Sequence, residues 1–150
     1  MDVKDGERGS QVGLVTLLVQ LNKAIHRRST EEMLGMRLKA YITLSYIRDH
    51  PGVTQQELET AMVMDANSVV LILNELEAAQ FSLRRRDAHD RRRHIVELTA
   101  SGGRALEKAD KAREAIEDEI CAPLSSDERK TLRSLVERVL EGAIPEPAKT

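Results

Sequence analysis

Aromatic residues make up only 2% of this 150-residue chain: Phe81, Tyr41 and Tyr46, with no tryptophan. Base-stacking platforms and aromatic-lined clefts for sugars or planar cofactors need more rings than that, so the composition argues against both. A lone cysteine, Cys121, excludes an internal disulfide and a cysteine-built metal framework. No apolar run approaches the roughly 18 residues of a membrane span, and the N-terminal MDVKDGERGS has no secretory h-region. The expectation is a soluble cytoplasmic protein with no membrane partner. Disorder is excluded as well, since 41% of residues are hydrophobic. At this length one domain, residues 1–150, can bury a conventional core.

Net charge is nearly absent too, at −2. Its distribution is uneven. Residues 84–94 read RRRDAHDRRRH, with six arginines against two aspartates, so the island carries +4 and the other 139 residues carry −6. A short basic island in an acidic chain asks for an anionic partner. The alternative is a solvated loop balanced by Asp87 and Asp90.

Internal repeats and low-complexity tracts are missing, and the tails (residues 1–9 and about 143–150, with Pro145 and Pro147) read as frayed. Between them helical periodicity dominates. Leu14, Leu17, Leu18, Leu21 and Ile25 mark a first helix over about 10–33, ended by Gly35. A second, about 37–49, carries Leu38, Tyr41, Leu44 and Ile47 and stops at His50-Pro51-Gly52. Thr54-Gln-Gln-Glu57 matches a capping box opening a short helix to about 62. Asp65 is a suitable N-cap for a helix over about 66–79, with Val69, Ile72, Leu73 and Leu76 as its core stripe. The pattern then changes to period two, in Phe81 and Leu83 and again in Val96 and Leu98, which predicts a hairpin around a loop at 87–91. A helix from about Thr99 to 121, ended by Pro123, and another opened by Ser125-Ser-Asp-Glu128 complete the order α-α-α-α-β-β-α-α. The fold class is mainly α with one small β-hairpin.

Two capped helices joined by a short turn and followed by a hairpin make a winged helix-turn-helix, here with arginines loaded onto the wing. Catalytic chemistry has no candidate. There is no nucleophile elbow, phosphate-binding glycine loop or paired acid and base. The histidines His26, His50, His89 and His94 are scattered without ligand spacing, so no metal or other cofactor is expected. Cys121 follows Glu117, Asp118 and Glu119, which disfavour a thiolate, and reads as an inert thiol rather than an oxidant sensor.

The stretch MDANSVVLILNELEAAQFSLRRRDAHDRRRHIVELTASG also resembles the core of the MarR-type regulators. Asp65, Val69, Leu76-Glu77, Arg84, Asp87, Asp90-Arg91-Arg92, Leu98-Thr99 and Gly102 fall in register with that family's pattern, without a gap. The match covers about a quarter of the chain, and the helix order extends it over nearly all of it. Three positions depart from the pattern. Gln80 stands where the family prefers glycine, so the helix must end on a left-handed glutamine or leave differently. Ala88 replaces a proline of the wing turn. Val70 and Leu71 occupy recognition positions that are usually polar or basic.

The resemblance implies a homodimeric, sequence-specific DNA-binding regulator, acting as a repressor on palindromic double-stranded DNA. Its winged core would span about 37–99, with dimerisation helices at about 10–34 and 100–142. Thr54 and Gln55 would lie at the start of the first helix of the motif. Asn67, Ser68, Val70, Leu71 and Asn74 would face base edges from the second, Asn67 being able to pair with adenine and the apolar pair to touch thymine methyls. For Asn67 and Ser68 mere helix-start chemistry is the other reading. On the wing, Asp90 would hold the tip, Arg92 would enter the minor groove, and Arg84, Arg86 and Arg91 would take phosphates. Leu14, Leu17, Leu18 and Leu21, with Leu132, Leu135, Val136, Val139 and Leu140, form stripes that a monomer cannot cover, so a symmetric dimer is expected. A small anionic or phenolic effector would bind between these helices and the winged core, with Tyr41, Tyr46, His26 and Arg27 as candidate contacts. A competing reading is a protein-interaction module that uses Val70 and Leu71 as its contact surface.

Overall fold

The computed structural model describes residues 11–144. The expected frayed tails and the start of the first helix at residue 10 therefore lie largely outside the described residues. Helix α1 runs Leu14–Arg28, and a short α2 covers Glu31–Leu34. A single helix over 10–33 was expected; Ser29 and Thr30 break it. The Ser29 hydroxyl donates to the Ile25 carbonyl at 2.6 Å, while the Thr30 side chain accepts from the Met33 amide and restarts the helix. Gly35 ends α2 at φ +79°, as its position suggested.

Helices α3 (Leu38–Asp49), α4 (Gln55–Met62) and α5 (Ala66–Ala78) follow, then strands β1 (Ser82–Arg86) and β2 (His94–Leu98). Helices α6 (Ala100–Ile120) and α7 (Ser126–Ala143) close the described chain. The strands pair antiparallel with Arg84 opposite Val96, and the connection between them is 87–93, longer than the expected 87–91. β2 is also anchored outside the hairpin. The Val96 amide donates to the Val53 carbonyl at 2.9 Å, and Thr54 bridges Ile95. The wing is thereby tied to the residues that start α4.

One apolar cluster unites these elements: Leu44 of α3, Leu58 of α4, Ile72 and Leu73 of α5, Val96 of β2 and Leu106 of α6 are all buried. Side chains of this size contribute about 1.5–3 kcal/mol each when fully buried. Gly102 shows how tightly α6 docks on the hairpin. A Cβ there would stand 2.1 Å from the Phe81 carbonyl oxygen, so only glycine permits the approach. By contrast α1 and α7 bury no residue at all. Among the described residues no helix is long and apolar enough to cross a membrane.

Candidate nucleic-acid interface

Helices α4 and α5 are set by their first residues. The Thr54 hydroxyl accepts from the Glu57 amide at 3.1 Å, and the Asp65 carboxylate accepts from the Ser68 amide at 2.7 Å. That backbone N–H of Ser68, ahead of its side chain, holds the Asp65 carboxyl below its ordinary pKa. The box expected at Thr54 is only half formed, because Glu57 lies 3.6 Å from Arg93. The complete capping box belongs to Ser125 and Glu128 on α7. Between α4 and α5 the chain turns through Val63 at φ +52°, an unusual conformation for a β-branched residue.

Once Val69, Ile72, Leu73 and Leu76 are committed to the core, α5 turns Asn67, Leu71 and Asn74 outward. Ser68 and Val70 flank this face, half-buried. Leu71 is 61% exposed, and no lysine or arginine occurs between residues 65 and 83. The face can therefore offer amide hydrogen bonds and methyl contacts, but no charge. Gln80 ends the helix region at φ +66°, so a glutamine takes the left-handed conformation that glycine usually supplies.

Charge is supplied by the wing, and its six arginines divide into two sets. Arg84 is expected at a phosphate, yet its guanidinium turns inward. Nε and Nη2 donate to the two Glu77 oxygens at 2.8 and 3.0 Å, and Nη2 also donates to the side-chain Oδ1 of Asn74. That hydrogen bond and ion pair hold the Glu77 carboxyl below its ordinary pKa. Arg85 pairs with Glu97, and Arg93 faces Glu57. These three brace the hairpin against α5, its own second strand and α4.

Arg86, Arg91 and Arg92 form the other set. Arg86 donates to the Arg91 carbonyl at 3.1 Å and has no carboxylate partner among the described residues. Arg91 is exposed. Arg92 is 91% exposed, with Nε 3.3 Å from Asp90. The Asp90 carboxylate accepts the Arg92 amide at 3.1 Å and thereby shapes the tip; this backbone bond also lowers its pKa. Below the tip, a polar cleft of about 220 Å³ is lined by Thr54, Gln55, Gln56, Glu59, Arg92, Arg93 and His94. Thr54 itself is buried, so its contribution there is the cap.

A second cavity, about 310 Å³, lies between α1, α3 and α6. Leu21, Ile25, Leu34, Leu38, Ile116 and Ile120 contribute apolar walls, and Tyr41, Arg113 and Glu117 one polar corner. Arg113 Nε donates to the Tyr41 hydroxyl at 2.9 Å and Nη1 to Glu117 at 2.8 Å. The Tyr41 hydroxyl donates to Asp110, whose other oxygen accepts from Arg48 at 2.8 Å. Burial, then the bond to Asp110, pushes the Tyr41 phenol above its ordinary pKa. Burial works to raise the Asp110 carboxyl, but the bonds from Tyr41 and Arg48 outweigh it and hold it low.

Of the four residues expected around an effector, only Tyr41 reaches this cavity. Tyr46 stacks on His50 with ring centroids 3.8 Å apart, and His26 and Arg27 are exposed on α1. Cys121 lies at the cavity's edge. Sequence reasoning missed Glu57, Glu77 and Glu97 as partners of the wing, and Asp110 and Arg113 as partners of Tyr41. Only the i, i+4 spacing of Arg113 and Glu117 was legible as a pair.

This geometry has close counterparts. The model of the MarR family matches residues 34–93. A Thauera aromatica protein assigned as the transcriptional regulatory protein for the hcr operon is 33% identical over 114 residues, 76% of this chain and 69% of that protein. The crystal structure of MarR superposes with a TM-score of 0.81 at 28% identity, covering 89% of this chain and 92% of that one. The MepR–DNA complex of S. aureus has the same fold, with a TM-score of 0.76 at 22% identity and coverage of 88% and 99%.

Proposed function

Because the chain belongs to the MarR family of transcriptional regulators, we propose that it works as a homodimer that represses transcription from a palindromic duplex operator and releases it on binding a small effector. The observation that carries this reading is the division of the wing arginines. A loop that merely solvated its charge would not need three guanidiniums fixed by carboxylates behind three left outward. Arg86 and Arg91 neutralise phosphates, and Arg92 enters the narrow, strongly negative minor groove. Asn67, helped by Ser68, reads base edges from α5, while Val70 and Leu71 touch thymine methyls. Thr54 and Gln55 place the start of α4 against the backbone. Arg84 and Asn74 serve as positioning residues that fix the wing against α5.

Support for the dimer comes from the faces left in water. Leu14, Leu17, Leu18 and Leu21 of α1 are exposed, as are Leu132, Leu135, Val136, Val139 and Leu140 of α7. At about 25 cal/mol per Å² such stripes are costly to leave uncovered, and a two-fold partner covers both together. In this reading residues 37–99 form the DNA-binding core, and 10–34 with 100–142 the dimerisation region. The effector occupies the cavity between them, where it can alter the spacing of the two wings.

A protein-interaction module is the second reading, favoured by one observation: Val63 and Leu71 are 70% and 61% exposed at the motif's outer surface. Selection of bound fragments from random duplex DNA at about 0.15 M salt, where nonspecific binding is weak, separates the two. The DNA reading expects a two-fold symmetric motif. Recovery of unrelated sequences would overturn it in favour of the module.

A further inference from the structure

The polar corner of the 310 Å³ cavity is already satisfied from within the chain. Arg113 spends Nε on Tyr41 and Nη1 on Glu117. The Tyr41 hydroxyl gives its proton to Asp110. The Ser29 hydroxyl, also on the wall, is held by the Ile25 carbonyl. The two formal charges that line the cavity, Arg113 and Glu117, cancel. Further charges face the corner from the packed elements: Asp110 and Glu114 on α6, Arg48 on α3, and Arg129 on α7, with Arg113 Nη2 3.8 Å from Glu114 and Arg129 Nη2 3.8 Å from Glu117; Arg129 is itself held by Asp118 at 2.7 Å. An anion entering here would lose its water and find no uncompensated cation, and an unpaired charge is expensive to desolvate.

We infer that this cavity selects a neutral, largely hydrocarbon ligand, about the size of two fused or linked rings and bearing at most one hydrogen-bonding group, rather than a carboxylate or other anion. The volume lies at the lower end for small-molecule sites. One lone pair of the Tyr41 hydroxyl and the remaining Arg113 N–H groups suffice for a single hydroxyl, carbonyl or amine. Leu21 and Leu132 both line the cavity and belong to the apolar faces of α1 and α7. A ligand seated against them touches the surface that the partner protomer covers. The inference rests on the effector reading above and narrows its chemical class.

A matched pair of fluorescent probes tests it on the full chain: N-phenyl-1-naphthylamine, which is neutral, and 1-anilinonaphthalene-8-sulfonate, the same framework with a sulfonate. The neutral probe is expected to saturate at one site per protomer and to bind about tenfold or more tightly than the anion, the scale of one uncompensated charged hydrogen bond. Ile120→Trp, which fills a half-buried wall position, should abolish that site. Glu117→Gln frees a donor of Arg113 and should move the preference about tenfold toward the sulfonate. Tighter or equal binding of the sulfonate to the wild type overturns the inference. So does the lack of a saturable neutral site sensitive to Ile120→Trp, the result expected if partner side chains fill the cavity. Operator affinity measured with the neutral probe present keeps the two claims apart. Binding at the site without any effect on DNA would sink the effector reading and leave the ligand class standing, whereas sulfonate preference with DNA release would do the reverse.

Discussion

The division of the wing arginines has a consequence in salt. Each phosphate neutralised on duplex DNA contributes about −0.9 to the slope of log K against log salt. Arg86 and Arg91 have no carboxylate partner among the described residues, and Arg92, 91% exposed, meets only Asp90 of its own tip, while Arg84, Arg85 and Arg93 are engaged outside the tip by Glu77, Glu97 and Glu57. Two wings then release counterions from six contacts, for a slope of about −5 and a loss of about 2000-fold between 50 and 200 mM salt. If all the island's arginines gripped phosphate, the slope would be about −11 and the loss about three-millionfold. Fluorescence anisotropy with a labelled operator across that range measures it directly. The sharper comparison is between variants. Arg91→Ala should shallow the dimer's slope by about 2, and Arg85→Ala should leave it unchanged while loosening the hairpin. Equal changes in the two variants would refute the division.

Asn67→Ala should relax preference at one base pair per half-site, at a cost of about 1–3 kcal/mol against the preferred base, as measured with base-substituted operators. Arg84→Met should lower stability in urea by about 1–2 kcal/mol, a figure discounted for partial exposure, and should weaken operator binding by freeing the wing. Because the folded Glu77 carboxyl titrates below its ordinary value of 4.5, the Arg84–Glu77 clasp contributes fully above that pH and is lost as pH falls through the folded value. The stability gap between wild type and Arg84→Met should therefore close in acid below about pH 4.5. Val63→Gly removes a left-handed β-branched residue and should raise the melting temperature, with a gain of about 1 kcal/mol; a loss would show that the Val63 side chain has a stabilising contact.

Local signals in the sequence were sufficient wherever one residue's chemistry sets the backbone. Asp65, Thr99 and Ser125 cap helices where their hydroxyl or carboxylate can reach an amide three residues on. Gly35 ends α2, and the period-two runs around the arginine island form the hairpin. The break at Ser29 falls in the polar run 26–32, where the apolar repeat has already stopped at Ile25, so the helix end was placed by Gly35 alone and the competition of Ser29 and Thr30 for backbone groups left no periodic signal. The half-formed box at Thr54 has a tertiary cause, because Arg93 on the wing draws Glu57. The candidate site was legible as a set of residues but not as a division of labour. Arg84 and Glu77 sit seven positions apart across a helix end, and Tyr41 and Asp110 sixty-nine apart. No helical or strand spacing joins such pairs, so only the packed arrangement distinguishes a brace from a free cation.

The most direct test of the account is the spacing of the operator's two halves. A symmetric dimer reads half-sites about one helical turn, 10–10.5 base pairs, from centre to centre. Inserting five base pairs between the halves of the selected operator turns one half to the opposite side of the duplex. Affinity at 0.15 M salt should then fall to that of a single half-site and return partly when about ten base pairs are inserted. Unchanged affinity with the five-base-pair insertion would contradict a dimer that grips both halves at once.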